Sequence, residues 1–246
     1  MGRLVIVSGP SCVGKGPLLA ALRKFYPDLA ASLTPIVPYN DRRPRPGERN
    51  GVDYHFSSRA DVEKLRKRPD FVVMEVRGDL QAVDLNEIRE LLDKGDVFFE
   101  GNPFVACALL DSKLADADEV LSVFLSPLTR DEITYLSAPE QVGSFQDLLT
   151  DLMRRKLLRR TRKQKTILSL KDLENVERRA ASAFPELKLA WRFPHVIPNH
   201  DGEDSENWDA VYYPLGDARR TLLTFVDLLE GRHNPHLETW QEGNPL

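Results

Sequence analysis

Near the start of the chain the apolar run Leu4-Val5-Ile6-Val7 leads into Ser8-Gly9-Pro10-Ser11-Cys12-Val13-Gly14-Lys15, and a helical pattern then continues through Leu22. No other stretch restricts the fold so strongly. Gly9 and Gly14 enclose four residues and Lys15 follows them, which is the G-x-x-x-x-G-K spacing of a phosphate-binding loop between a strand and a helix. Glycines let the backbone fold back so that successive N–H groups point inward at phosphate oxygens. The helix N-terminus adds partial positive charge, and the lysine reaches the outer phosphates. The flanking strand and helix argue against a bland Gly-rich turn. Residues Gly9, Pro10, Ser11, Cys12, Val13, Gly14, Lys15 and Gly16 are therefore candidates for holding a nucleotide's phosphates.

Positions 16 and 17 are Gly and Pro, so the hydroxyl that usually helps hold Mg²⁺ after the lysine is absent. Proline is sterically allowed in a first helical turn. Any Mg²⁺ is then expected to be held mainly through phosphates and water, with no protein metal ligand.

The 246 residues, 41% hydrophobic, suffice for one large domain or one domain with an inserted lid. A formal charge of −4 argues against a protein that coats nucleic acid. Cys12 and Cys107 form no disulfide or metal framework, which fits a reducing compartment. Cys12 reads as a small loop residue, with an oxidisable thiol as the lesser alternative. The histidines show no zinc spacing. No stretch approaches a membrane span, and Ile6 argues against N-myristoylation, so the expectation is a cytoplasmic protein with no membrane partner.

Short β-rich runs alternate with helical patterns, the signature of an α/β domain with a largely parallel sheet. Strands are expected at Leu4 to Val7, Phe71 to Val76, Val97 to Glu100, Val120 to Leu125 and His195 to Ile197. Helices are expected at Pro17 to Phe25, Ala60 to Lys67, Leu85 to Lys94, Phe104 to Leu114 and Ala218 to Glu230, with another helical pattern from near Phe145. The tail from Arg232 to Leu246, rich in Pro, Asn and charge, is expected to lie extended or frayed. The acidic segment Asp201 to Glu206 reads as a solvated turn.

A second informative stretch is Arg42 to Phe56, RRPRPGERNGVDYHF, too rich in Pro and Gly to be a helix interior. Alone, its arginines would be a solvated turn. Beside a phosphate loop, Arg42 and Arg45 offer bidentate donors for a second phosphate, and the Tyr54 hydroxyl could add a contact.

With both motifs in view, the chain resembles guanylate kinase. That family carries GPSG-x-GK, here GPSCVGK, followed by R-x-P-R-x-G-E-x-x-G-x-x-Y-x-F, here filled by Arg42, Pro44, Arg45, Gly47, Glu48, Gly51, Tyr54 and Phe56. The resemblance implies a P-loop NTPase-type α/β core with a parallel five-stranded sheet flanked by helices. It implies core segments at about 1–33, 96–136 and 172–231, an NMP-binding subdomain at about 34–95, an enlarged helical lid at about 137–171 and a tail at 232–246. By the same resemblance Arg42, Arg45 and Tyr54 grip the acceptor phosphate. Gly at position 16 occurs in related kinases before a Thr, so Pro17 is the departure.

Further departures fall where the family reads the base. Its S-x-T-T segment is Pro38-Tyr39-Asn40-Asp41 here, and its G-N-Y-Y-G-T/S segment is Gly78-Asp79-Leu80-Gln81-Ala82-Val83. Gln81 thus replaces a phosphate-binding tyrosine. The guanine-reading glutamate falls around Val72 to Glu75, where Glu75 is the one carboxylate, and the family's D-x-D becomes Glu100-Gly101-Asn102. Glu75, Gln81, Glu100 and Asn102 complete the expected acceptor set.

From Arg154 to Lys165, eight of twelve residues are basic. In isolation this is a solvated helix face or a nucleic-acid patch. In a phosphoryl-transfer enzyme, lid arginines stabilise charge on the moving group. Arg159, Arg160 and Arg162 resemble the family's R-x-R-G-R cluster, and Arg178 or Arg179 its second lid arginine, with Arg179 taken into the catalytic set beside Lys15 and Arg42. Asn199 matches the Asn of Y-D-Y-V-I-x-N and is expected near the donor's adenine.

The resemblance implies transfer of the ATP γ-phosphoryl to GMP, giving GDP and ADP, with ATP and Mg²⁺ as cofactors and nucleotides as partners. Two alternatives remain: a kinase of the same fold acting on a different or modified NMP or another phosphorylated acceptor, and a non-catalytic nucleotide- or protein-binding domain. Against the second, such scaffolding domains typically have a damaged phosphate loop, whereas Lys15 and both glycines survive here.

Overall fold

In the computed structural model, which describes residues 2–44, 47–138, 140–243 and 246, the first apolar run is β1 (Leu4–Ser8), buried along its whole length. A strand buried on both faces belongs inside a sheet with layers on either side, so an unbroken apolar run is its natural sequence. The chain then forms α1 (Lys15–Phe25), α2 (Pro27–Ala31), β2 (Thr34–Pro35), β3 (Tyr39–Asn40), β4 (His55–Phe56), α3 (Arg59–Leu65), β5 (Phe71–Val76), β6 (Asp79–Asp84), α4 (Leu85–Leu92), β7 (Val97–Gly101) and α5 (Pro103–Asp111). It continues with β8 (Val120–Ser126), α6 (Arg130–Leu136), α7 (Phe145–Gln164), α8 (Leu170–Ala181), α9 (Ala183–Leu187), β9 (His195–Pro198) and α10 (Gly216–Leu229).

Five strands form one sheet in the order β2-β7-β1-β8-β9, with β2 parallel to β7 and β8 parallel to β9. This is the parallel α/β sheet expected from the sequence. Two compact units share it: Met1–Ile6 with Ser32–Leu121, and Val7–Ala31 with Ser122–Leu246. The division runs through β1 and β8.

The first unit carries a separate four-stranded sheet, order β4-β3-β6-β5. One face packs Leu80, Ala82 and Val73 with Val62 of α3 into a small core flanked by Tyr39, Leu65 and Phe71. Helix α3 starts at Ser58, whose side chain accepts from the Asp61 amide. Strand β6 is absent from the expectations drawn from the sequence. Half of its residues, DLQAVD, are polar, at Asp79, Gln81 and Asp84, which breaks both an apolar run and a clean alternation. The β5–β6 hairpin closes through Arg77 and Gly78, both at positive φ (57° and 89°), the backbone that a two-residue turn of this hand needs.

In the second unit α10 buries a wide stripe including Ala218, Leu222, Phe225 and Leu229. Helices α2, α6 and α9 are short elements that periodicity did not reveal. The expectation of a frayed tail is corrected. Trp240 is buried, Asn234 donates to Asp227 at 2.6 Å, and Glu238 forms an antiparallel bridge with Val196 of β9. A single tryptophan supplies enough apolar area to anchor a polar segment.

Candidate active site

The phosphate loop lies in the second unit, between β1 and α1. Cys12 takes a left-handed conformation (φ 67°), and Gly14 another (φ 105°) at the N-cap of α1. A Cβ at position 14 would come within 2.4 Å of Asn199 Nδ2, so only glycine fits there. Lys15 is buried, and its Nζ donates to the Gly9 and Pro10 carbonyls at 2.8 and 2.9 Å. Burial, with the charges of Glu203 and Asp204, pushes the Cys12 thiol up to about 12. It stays protonated near neutral pH, which favours the small-loop-residue reading over the oxidisable one.

Two of the expected lid and donor residues, Arg179 and Asn199, reach this loop. Arg179 of α8 donates from Nε to Ser11 Oγ at 3.1 Å. Asn199 is fully buried and donates Nδ2 to the Val13 and Asp201 carbonyls, both at 2.7 Å, tying the end of β9 to the loop. Arg159 donates from Nε to Asp204 at 2.8 Å, with an ion pair at 2.7 Å through its other nitrogen. Arg162, in the last turn of α7, is exposed.

The acidic segment 201–206 is not a solvated turn, which corrects the expectation. Glu203 Oε2 accepts from the Gly14 amide at 3.0 Å. Burial works to raise its pKa, but the positive fields of Lys15 and Arg160 outweigh it and hold the carboxyl below its ordinary value. Asp204 is buried beside Lys156, 3.8 Å away. Asp201 accepts from the Ala218 amide at 3.0 Å, at the start of α10.

Glu203, Asp204 and Lys156 are the residues that sequence reasoning missed. Lys156 sits on the buried stripe of α7 with Phe145, Leu149, Met153 and Leu157, a lysine at a core-facing position. That spacing was the available signal. Part of the remaining basic run is neutralised within the chain: Arg154 pairs with Asp151 and Glu177, and Lys165 with Asp172.

The residues expected at the acceptor lie in the first unit. Arg42 makes a bidentate pair with Glu48, both bonds at 2.6 Å, and its guanidinium lies 4.9 Å from the Tyr54 ring centre and 5.4 Å from that of Phe56. Burial works against its charge, and Glu48 and Tyr54 more than compensate. Arg45 lies outside the described residues. Asn40 is buried and accepts from the Arg42 amide at 3.0 Å.

Strand register separates the remaining candidates. Gln81 pairs with Asn40 on one side and Met74 on the other, and Val83 pairs with Val72, so these five residues share one face of the four-stranded sheet. Glu75 pairs with Leu80 and therefore points to the opposite face, where it is exposed and meets Arg59 at 3.4 Å. Glu75 and Gln81 are thus not brought together. Glu100 is exposed near the end of β7, and Asn102 caps α5 by accepting from the Phe104 amide at 2.9 Å.

Among the described residues no cluster of three or more His, Cys, Asp or Glu side chains could hold a metal ion, and no helix is long and apolar enough to cross a membrane. A parallel α/β sheet whose first strand runs into a Lys-bearing glycine loop defines the P-loop nucleotide-binding class.

Comparison with known proteins narrows that class. The family model described as guanylate kinase matches residues 1–136. A guanylate kinase of Rhodococcus jostii (strain RHA1) is 29% identical over 203 residues, covering 81% of each chain. One of Synechococcus sp. (strain JA-3-3Ab) is 29% identical over 224 residues, covering 87% of this chain and 83% of the relative. The crystal structure of guanylate kinase from Anaplasma phagocytophilum superposes with a TM-score of 0.55 at 16% identity, over 96% of this chain and 89% of that one, a likeness of fold. The chain belongs to the guanylate kinase family, and is an ATP-dependent phosphotransferase of the nucleoside monophosphate kinase type. The family uses nucleotide substrates, ATP and Mg²⁺.

Proposed function

We propose that the protein transfers the γ-phosphoryl group of ATP to GMP, giving ADP and GDP. The observation that supports the donor half of this reading is the Gly14 amide at the head of α1 donating to a carboxylate oxygen under the positive fields of Lys15 and Arg160, an anion seat at the required strand-to-helix junction. An ionised oxygen of the acceptor phosphate attacks the γ-phosphorus in line, and the β–γ bridging oxygen leaves with the bonding pair. The acceptor is already ionised, so no general base is needed, and catalysis is positioning plus electrostatics.

In this proposal the loop Gly9–Gly16 and Lys15 hold the donor phosphates. Arg159, Arg160, Arg162 and Arg179 neutralise the moving charge, Asn199 supports the donor end, and Arg42, Arg45 and Tyr54 grip the acceptor phosphate. Mg²⁺, when bound, neutralises the donor phosphates and is held through them and through water. Segments 34–95 and 137–171 serve as acceptor subdomain and lid.

A specific observation favours a second reading, a different or modified NMP as acceptor. Val72 and Val83 line the Gln81 face while the Glu75 carboxylate points away from it. A site built to hydrogen-bond a base loses discrimination steeply when its donors and acceptors are replaced by apolar groups. The test is a panel of ribo- and deoxynucleoside monophosphates, modified bases included, with Mg-ATP and detection of ADP. GMP turnover that vanishes in a folded Lys15→Ala variant supports the proposal. Turnover with another acceptor alone moves the assignment to the second reading, and undiminished turnover in Lys15→Ala overturns the site.

A further inference from the structure

Segment 201–208 is a built structure laid directly on the phosphate loop. Gly202 approaches so closely that a Cβ there would lie 2.1 Å from the Cys12 carbonyl oxygen and 2.8 Å from Asp204 Oδ1. Asp201 gathers the Ser205 hydroxyl, the Asn207 amide and the Ala218 amide on its carboxylate, and the Trp208 indole N–H on its carbonyl at 2.8 Å. Asp204 is held by Arg159 and Lys156 of α7. These anchors leave Glu203 with its carboxylate 3.0 Å from the Gly14 amide, the backbone donor that the P-loop motif directs at phosphate. A carboxylate and a phosphate oxygen cannot occupy one N–H together.

We infer that Glu203 is an intramolecular occupant of the donor-phosphate cradle, so that ATP enters by displacing it and this side chain lowers the affinity for ATP. The inference rests on the phosphate loop being the donor site. Arg159 ties the same segment to α7 through Asp204. The competing contact is a hydrogen bond to a charged acceptor, and its loss from the ligand-free state is expected to tighten ATP binding about tenfold.

The experiment is calorimetric titration of Mg-ATP and, separately, inorganic tripolyphosphate into the full chain without acceptor, for wild type, Glu203→Gln, Glu203→Ala and Glu206→Gln. Glu206 is an exposed acid on the same segment, 3.9 Å from Lys163. Glu203→Ala should bind both probes about tenfold more tightly than wild type, Glu203→Gln, whose amide oxygen still accepts but carries no charge, should gain less, and Glu206→Gln should bind as wild type does. Equal or weaker affinity in the Glu203 variants, or an equal gain in Glu206→Gln, overturns the inference. In wild type, saturating ATP should speed amide hydrogen exchange across 201–208, which needs no variant to fold, and unchanged or slower exchange overturns it equally. Tighter ATP binding in the variants without GMP turnover keeps the inference and removes the acceptor assignment. GMP turnover with unchanged affinities does the reverse, and no ATP binding by any protein removes both.

Discussion

Pro17 is the residue at which the phosphate loop departs most from its motif. It occupies the third position of α1, where a helix leaves its N–H groups without internal partners, so the missing donor costs the helix nothing. The cost falls on the ligand: neither an N–H nor a hydroxyl is offered from this position. Pro17→Thr restores both, and the half-saturating Mg²⁺ concentration for turnover is expected to fall about fivefold, the worth of roughly one hydrogen bond. An unchanged Mg²⁺ dependence would show that the metal takes nothing from this turn. Cys12 is the companion case, a buried side chain held at positive φ where the family motif has glycine, a backbone cost that the surrounding loop structure maintains.

At the scale of elements, α7 joins the basic segment to the acidic one. Asp204 and Lys156 are both buried, and Lys156 also donates to the His200 carbonyl. Removing one partner of a buried pair strands the other's charge. Asp204→Ala is therefore expected to lower stability by about 3 kcal/mol in urea unfolding, and a loss under about 1 kcal/mol would mean that Lys156 finds another acceptor or reaches water. The four-stranded sheet teaches a complementary lesson. Alternation along β5 and β6 decides which side chains share a surface, so Gln81 and Val83 face one way and Glu75 the other however close they stand in sequence.

At the scale of the molecule, His200 ties three elements of the second unit together, bonding Asp217 of α10 through Nδ1 and Glu132 of α6 through Nε2 while its carbonyl meets α7. Burial works to lower its pKa, but the bonds to Asp217 and Glu132 outweigh it and the value is raised above the ordinary 6.5. A raised folded-state value means that the pairing is fully present below about pH 6.5 and is lost as pH climbs through the folded value. The imidazole is 41% exposed, so solvent screening keeps the contribution under about 1 kcal/mol. His195 shifts the other way through burial, so the comparison must be made with a variant. His200→Gln should be less stable than wild type near pH 6 and equal to it near pH 9, both by urea midpoint. A difference independent of pH would assign His200 a packing role instead.

The strand–loop–helix at Leu4 to Leu22, the parallel sheet and the arginine motif at 42–56 were legible in the sequence because their signals are local. They lie in an apolar run, glycine spacing and helical period, each contained within a few turns of chain. What lay beyond reach was set by contacts distant in sequence. The polar tail looked free until Trp240 found a buried site, and DGEDSE looked solvated until Glu203 met Gly14, 189 residues away. The faces of β5 and β6 needed a register that sequence spacing does not state. Sequence alone determined that this chain carries a phosphate-loop motif between a strand and a helix. Tertiary structure decided what occupies that seat between ligands, because burial and opposite charge can turn an acidic loop into a partner only once the fold has brought the two together.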